Sequence, residues 1–146
     1  MADLTVTLDQ VRVLDTSQRS TTNAIADEAV TRGQPVYEKT NGRVAKARAN
    51  AVTTAKACGI ALNDANAGEP VTYGDDVRLA GFNLSAVDNG TTVYLSSATA
   101  GMVADAAATG TGNVVVPLGA VKTATGSGRF KYIRFFISPA FVPVAL

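Results

Sequence analysis

Apolar and polar residues alternate at the start of the chain, which is the pattern of a β-strand with one buried face. The apolar positions on one face of this strand are Leu4, Val6 and Leu8. Val11 and Val13 continue the pattern on the opposite face, which predicts a bulge or a turn between the two runs. Residues 15–23 hold no large apolar side chain and predict a connector. We assign residues 1–32 to an extended N-terminal arm and its connector.

From residue 33 onwards, one pattern of strands and glycine turns occurs twice. Each copy begins with Gly-x-x-Val-Tyr, passes through a glycine-centred turn into a Val-bearing strand, and ends in a strand containing Gly near its start. The first copy comprises residues 33–37, 41–44 and 58–61, and the second comprises residues 90–94, 100–103 and 118–121. Three anchors in the same order at nearly constant spacing favour a duplicated β-unit. We predict one β-domain over residues 33–146, made of quasi-repeats at 33–89 and 90–146.

The first copy contains a segment whose local propensity conflicts with this pattern. Residues 43–58 are rich in strong helix formers and would be predicted as a helix on propensity alone. Their counterpart, residues 102–118, contains Gly110 and Gly112 and ends in Val-Val-Val-Pro-Leu, which does not suit a long helix. Because repeated units share a fold, we expect strands and loops in both copies, with a helix at residues 45–57 as the alternative. Short strands separated by glycine turns then predict an all-β fold, either a small barrel or a sandwich.

The composition excludes several kinds of catalytic and metal site. The chain has no histidine and one cysteine, so it cannot supply a Ser-His or Cys-His nucleophile system or a zinc site built on several cysteines. Asp75 and Asp76 are adjacent, and adjacent strand residues point to opposite faces, so we interpret them as a solvated turn. We predict no catalytic residue, no metal and no cofactor. The least favoured alternative is a hydrolase that uses Asp75, Asp76 or Asp88.

Charge is sparse and nearly balanced. Charged residues make up 17% of the chain against a usual share of about 25%, and the net charge is +1. Such a chain is a poor candidate for binding nucleic acid or a membrane surface. Residues 39–63 nevertheless carry five basic residues and no acid until Asp64, and Lys46 and Arg48 share a face if the segment is extended. This basic strip is either a solvated face or a contact for an acidic protein surface, with nucleic acid as the least favoured partner.

The C-terminal segment is the most aromatic part of the chain. Four of the five phenylalanines lie within residues 130–141, and in the predicted strand there Tyr132, Arg134 and Phe136 share one side. The other side is expected to close the core, whereas this side carries residue types that are enriched at interface hot spots. The tail that follows contains two prolines and is predicted to be extended. Its apolar residues, Phe141 among them, either seal the core or dock on a neighbouring subunit.

Five short motifs carry a family resemblance. They are Gly-Gln-Pro-Val-Tyr from Gly33, Ala-Cys-Gly-Ile-Ala-Leu from Ala57, Ala-Gly-Glu-Pro-Val-Thr from Ala67, Thr-Val-Tyr-Leu-Ser from Thr92 and Val-Pro-Leu-Gly-Ala-Val from Val116. With these motifs, residues 33 to about 123 resemble the capsid cement, or head decoration, proteins of tailed bacteriophages. Similar motifs also occur in phage tail-fibre and spike modules.

The resemblance implies a structural virion protein rather than an enzyme. Such a protein binds the outer surface of the phage head after synthesis in the host cytoplasm and bridges neighbouring major capsid subunits. The resemblance also implies a homo-oligomer, with a trimer favoured and a dimer as the alternative. A tail-fibre or baseplate module for host-surface attachment is the alternative function. The residues that we predict at the interface are Leu4, Val6, Leu8, Lys46, Arg48, Tyr132, Arg134, Phe136 and Phe141.

Overall fold

The computed structural model describes residues 3–14, 21–124, 130–138 and 141–146. Their regular structure is almost entirely β, so the all-β prediction is confirmed. The strands are β1 (Arg12–Val13), β2 (Thr21–Ile25), β3 (Pro35–Glu38), β4 (Val44–Lys46), β5 (Ala57–Ala61), β6 (Pro70–Gly74), β7 (Asp76–Ala80), β8 (Thr92–Leu95), β9 (Val103–Ala104), β10 (Pro117–Thr123) and β11 (Lys131–Phe136). A 3-10 turn (Leu8–Gln10) and one α-helical turn, α1 (Val52–Ala55), complete these elements. Within these ranges, no helix is long and apolar enough to cross a membrane.

The strands form two antiparallel sheets. The six-stranded sheet has the order β1-β7-β11-β10-β8-β9, and the five-stranded sheet has the order β2-β6-β5-β3-β4. Each sheet has two edge strands in the described part of the chain, and neither closes into the barrel that was one of the two predicted architectures. Strand β11 lies inside the six-stranded sheet, between β7 and β10. Its position is therefore held by hydrogen bonds on both sides.

The two sheets have the same connectivity. Strands β7 to β11 lie in the order β7-β11-β10-β8-β9, which repeats the order β2-β6-β5-β3-β4 with every strand number raised by five. A β-bulge interrupts the pairing at the equivalent point in both sheets. In each sheet, a glycine lies opposite a valine next to the bulge. In the five-stranded sheet, Gly59 lies opposite Val36 and Ala57 lies opposite Tyr37. In the six-stranded sheet, Gly119 lies opposite Val93 and Pro117 lies opposite Tyr94.

At each bulge, the glycine lies against the backbone of the next strand. A Cβ atom on Gly119 would lie 2.1 Å from the carbonyl oxygen of Arg134, and one on Gly59 would lie 2.9 Å from that of Gly74. No side chain fits at 2.1 Å from a backbone oxygen, so only glycine allows β10 and β11 to pair in this register. The glycine thereby positions β11 and the residues on its outer face.

Two clusters of apolar side chains hold the sheets. The larger core buries Ile133 and Phe135 of β11 completely, and Ile60 of β5 in the five-stranded sheet joins it. A side chain of this size contributes about 2–3 kcal/mol when it is fully buried. Ala61, the neighbour of Ile60, points into the second core, which lies around Val36 and other apolar residues of the five-stranded sheet. The five-stranded sheet is therefore apolar on both faces, and one of those faces contacts the six-stranded sheet.

The N-terminal arm runs along its own sheet. The amide of Leu4 donates to the carbonyl of Val103 at the β9 edge, over 2.8 Å, and Asp3 forms a bridge with Ala104. Further along the arm, the amide of Thr7 donates to Gly81 over 2.8 Å, and β1 then pairs with β7 at the opposite edge. The arm thus connects the two edges of the six-stranded sheet, and its backbone is hydrogen-bonded within the chain.

Residues 43–58 form a strand, a loop and a single helical turn. Ala47, Ala49 and Ala55 are fully buried in the larger core. The alanines that raise the helix propensity of this segment therefore serve close packing, and the alternative of a helix at residues 45–57 is wrong beyond the four residues of α1.

Strand β2 occupies part of the predicted connector, and this prediction is wrong for residues 21–23. Thr21, Thr22 and Asn23 are exposed but pair with β6. These three residues lie in an edge strand and bury no large apolar side chain, so the apolar pattern did not reveal them. Residues 1–2 of the predicted arm, 15–20 of the connector and 139–140 of the tail lie outside the described residues.

We predict that Gly119→Ala lowers the free energy of unfolding by roughly 3 kcal/mol, because the new methyl group forces β10 away from the carbonyl of Arg134. Urea unfolding followed by circular dichroism measures this loss. Lys122→Ala, an exposed change on the same strand, serves as the control and is expected to stay within about 0.5 kcal/mol of the parent. Equal stability of Gly119→Ala and the parent protein would contradict the packing argument.

Candidate functional site

The outer side of β11 is the most exposed aromatic surface of the described chain. The strand alternates strictly, with Ile133 and Phe135 fully buried and Arg134 and Phe136 exposed. Phe136 keeps 58% of its surface exposed, although it lies in a strand with neighbours on both sides. Tyr132 has the same parity and lies on the same side of the sheet. The three residues that the sequence placed on one side therefore do lie on one side.

Neighbouring strands extend this surface. Arg134 lies opposite Arg78 of β7 and Ala120 of β10, Lys122 of β10 lies opposite Tyr132, and Asp76 of β7 lies opposite Phe136. We call this surface the basic–aromatic face, and it consists of Asp76, Arg78, Lys122, Tyr132, Arg134 and Phe136. It carries three cationic side chains and one acidic side chain. Two arginines therefore lie directly opposite each other in this face.

Contacts within the face orient Arg134. A guanidinium nitrogen of Arg134, Nη2, lies 3.7 Å from Oδ1 of Asp76, and the guanidinium carbon lies 5.8 Å from the centre of the Phe136 ring. The side chain of Arg134 remains 44% exposed, so each contact contributes no more than about 1 kcal/mol. Together the contacts hold the guanidinium group in place before a partner binds, which lowers the entropy cost of binding.

A groove adjoins the basic–aromatic face. Its volume is about 640 Å³, and its lining comes from β3, α1, β5, the β6–β7 corner and the C-terminal segment, namely Glu38, Val52, Thr53, Lys56, Ala57, Cys58, Asp75, Ile137, Ser138, Phe141, Val142 and Pro143. A second depression of about 230 Å³ shares Ala57, Ile137, Ser138 and Phe141 with the groove and extends it to Phe136. Phe136 therefore joins the groove to the basic–aromatic face.

The β6–β7 corner contributes an unusual carboxylate to this groove. Oδ1 of Asp75 is buried, and no described group donates a hydrogen bond to it. Oδ1 of Asp76 is likewise buried without a hydrogen bond, although it faces Arg134. The sequence favours the interpretation of Asp75 and Asp76 as a solvated turn. Because one carboxylate oxygen of each residue is buried, that interpretation is wrong for these two atoms. The C-terminal segment folds back beside Asp75, where the amide of Ile137 donates to the Asp75 carbonyl over 2.8 Å. Local sequence does not encode this contact, because the two residues lie far apart in the chain.

Cys58 lines the same groove, but its thiol is unreactive near neutral pH. Burial raises the pKa of the Cys58 thiol above its ordinary value of 9.0, and its sulfur contacts the carbonyl of Val36 at 3.5 Å. Burial also raises the pKa of the neighbouring Tyr73 hydroxyl, to about 12. Both groups therefore stay protonated near neutral pH and supply no nucleophile there. No group of three acidic or cysteine side chains that could hold a metal ion occurs in the described ranges.

The predicted basic strip is engaged with its own chain. Nζ of Lys46 lies 3.7 Å from Oε1 of Glu28, and Nε of Arg48 donates to the carbonyl of Ser97 over 2.9 Å. Lys39 forms an ion pair with Asp27. These contacts satisfy much of the strip's charge, and the role of Lys46 and Arg48 at an interface stays a prediction.

The remaining candidate residues lie in three different environments. Leu4 is 5% exposed in the larger core, Val6 packs partly against it, and Leu8 is 39% exposed. Phe141 packs partly against the same core and also lines the groove. Beyond it, the amide of Leu146 donates to the carbonyl of Asn113 over 2.7 Å, while Val142 stays 74% exposed. The tail thus contacts its own chain and still presents apolar side chains to solvent, and the interface roles stay predictions.

No protein-family model matches the chain, and a search of curated proteins finds no significant match.

We predict that Asp27→Asn removes a pH-dependent part of the stability. The hydrogen bond from Lys39 lowers the pKa of the Asp27 carboxyl below its ordinary 3.8, so the pair stabilises the fold above that pH and loses its effect as the pH falls through the folded-state value. Urea unfolding between pH 6 and pH 2 should show the parent more stable than the variant at pH 6 and the difference vanishing towards pH 2. Asp88→Asn, at an exposed loop position, is the control. A difference that persists unchanged at pH 2 would refute the pairing.

Proposed function

We propose that the chain is a non-enzymatic structural protein that binds the outer surface of a bacteriophage head and bridges neighbouring major capsid subunits. The observation that carries this proposal is the basic–aromatic face, which presents Arg134 and Phe136 on a strand held from both sides. Five motifs of the capsid cement type add to it, since they supply parts of β3, β5, β6, β8 and β10. We propose a homo-oligomer, a trimer in preference to a dimer, on the virion surface after synthesis in the host cytoplasm.

The chemistry of the face suits recognition of a protein surface. Arginine and aromatic residues dominate the few positions that supply most of the binding energy in protein interfaces. Three cations against one acid favour a partner surface that carries carboxylates. Ala120 and Thr92 continue the face across β10 and β8 with small side chains, so Arg134 and Phe136 stay accessible to a partner surface.

The two sheets differ in the residues at equivalent positions. The strand equivalent to β11 in the five-stranded sheet is β6, and its register places Thr72 and Gly74 where β11 has Tyr132 and Arg134. We propose that β2–β6 and β7–β11 are copies of one five-stranded unit, and that only the second copy carries aromatic and cationic residues at these positions. The equivalent side of the first copy lies against the larger core, where Ile60 and Gly74 are buried, whereas in the second copy Arg134 is exposed.

A single basic–aromatic face is too small to bind strongly, and several copies of the face in one oligomer compensate for this weak binding. A stable interface buries about 800 Å² on each partner, which the six residues of the face do not provide alone. An oligomer that places several faces on adjacent capsid subunits converts weak contacts into strong attachment through avidity. This requirement is the physical reason for proposing an oligomer together with a capsid partner.

We predict that Arg134→Glu combined with Phe136→Ala weakens binding to phage heads at least tenfold, because it removes both central residues of the face. The purified protein is sedimented with heads assembled without it, and the bound fraction is measured against protein concentration. Arg32→Glu, the same charge change at a surface position outside both the face and the basic strip, is the control and should bind as the parent does.

Unchanged head binding by the double variant would overturn the role of the face. Binding of the parent protein to host cells but not to heads would overturn the capsid proposal in favour of a tail-fibre or baseplate module. Sedimentation equilibrium of the parent gives the oligomeric state, and a monomer at micromolar concentration would contradict the avidity argument.

A further inference from the structure

The groove has the size and shape of a site for an extended chain segment. Its volume of about 640 Å³ lies within the usual range of binding pockets, and the second depression lengthens it from α1 towards Phe136. The two depressions share four lining residues, so they adjoin each other on the surface. Adjoining open depressions fit several consecutive residues of a peptide better than a compact ligand.

Apolar side chains form much of the groove and are exposed in this chain. Val142 is 74% exposed, and Val52 is 43% exposed. Phe141 and Ile137, which also line the groove, are packed against the larger core and are therefore held in place. Covering such residues with apolar groups of a partner is favourable at roughly 25 cal/mol per Å².

The charge of the groove selects one kind of polar group. Among the lining residues are two acids, Glu38 and Asp75, and one base, Lys56. Oδ1 of Asp75 is buried and accepts no hydrogen bond from the described chain. A buried carboxylate oxygen without a donor costs free energy that a cationic donor recovers with a short, charge-assisted hydrogen bond. The groove therefore complements a cation that arrives with an apolar stem.

We infer that this groove binds a lysine or arginine side chain within an extended, otherwise apolar segment of a partner protein, with Asp75 as the acceptor. The alkyl stem of such a side chain lies along Val52, Phe141 and Val142 while its charged group reaches the carboxylate. This inference concerns the groove and does not depend on the capsid proposal, because any protein partner with such a segment would satisfy it.

Small probes test the charge selection directly. Hexylammonium, hexanol and hexanoate share one alkyl chain and differ in charge, and each is titrated into the isotope-labelled protein at pH 7 while the methyl resonances of Val52 and Val142 are followed. Hexylammonium is expected to bind about tenfold more tightly than hexanol, and hexanoate more weakly than both. In Asp75→Asn, hexylammonium and hexanol should bind equally. The control Asp76→Asn changes the adjacent carboxylate, which does not line the groove, and should keep the preference.

A peptide tests the extended shape. Acetyl-Ala-Val-Lys-Val-Ala-amide should shift resonances from Val52 through Phe136, and the same peptide with norleucine in place of lysine should bind about tenfold more weakly. Val142→Arg adds a cation at an exposed lining position and should weaken the lysine peptide even if Asp75→Asn proves unstable. Equal binding of hexylammonium and hexanol, or a preference that survives in Asp75→Asn, would overturn the inference. Neither result bears on head binding, which is measured separately.

Discussion

The close approach of β10 to β11 at Gly119 is the constraint on which the rest of the structure depends. The missing side chain lets the carbonyl of Arg134 lie where a Cβ atom would otherwise be, which sets the register of the two central strands. That register directs Ile133 and Phe135 into the core and Arg134 and Phe136 outwards. Gly59 also lies close to the backbone of Gly74 at the equivalent bulge, so in both sheets a glycine allows two neighbouring strands to pack closely.

Both ends of the described chain fold back on the sheets, and this determines which surfaces remain for partners. The arm reaches both edges of the six-stranded sheet, so its backbone bonds are used within the chain. The C-terminal segment anchors at Asn113 but leaves Val142 and Val144 exposed, and it builds one wall of the groove. The principal accessible features are therefore the basic–aromatic face and the groove. They meet at Phe136, so one partner could contact both.

The two surfaces differ in the sign of their charge. The basic–aromatic face has an excess of cations, whereas the groove has an excess of acids and a buried carboxylate oxygen without a hydrogen-bond donor. Opposite charges side by side suit a partner with a complementary arrangement and disfavour partners without it.

The sequence alone determined the fold class and the sidedness of β11, because both follow from the two-residue period of a strand. It also located β3, β5, β8 and β10 approximately, since glycine, valine and tyrosine mark their ends. Tertiary structure alone decided that the alanines at 47, 49 and 55 pack in the core instead of forming one long helix, that the polar residues 21–23 pair with β6, and that Asp75 lies beside the returning tail. These features arise from contacts between residues far apart in the chain, which local periodicity does not encode.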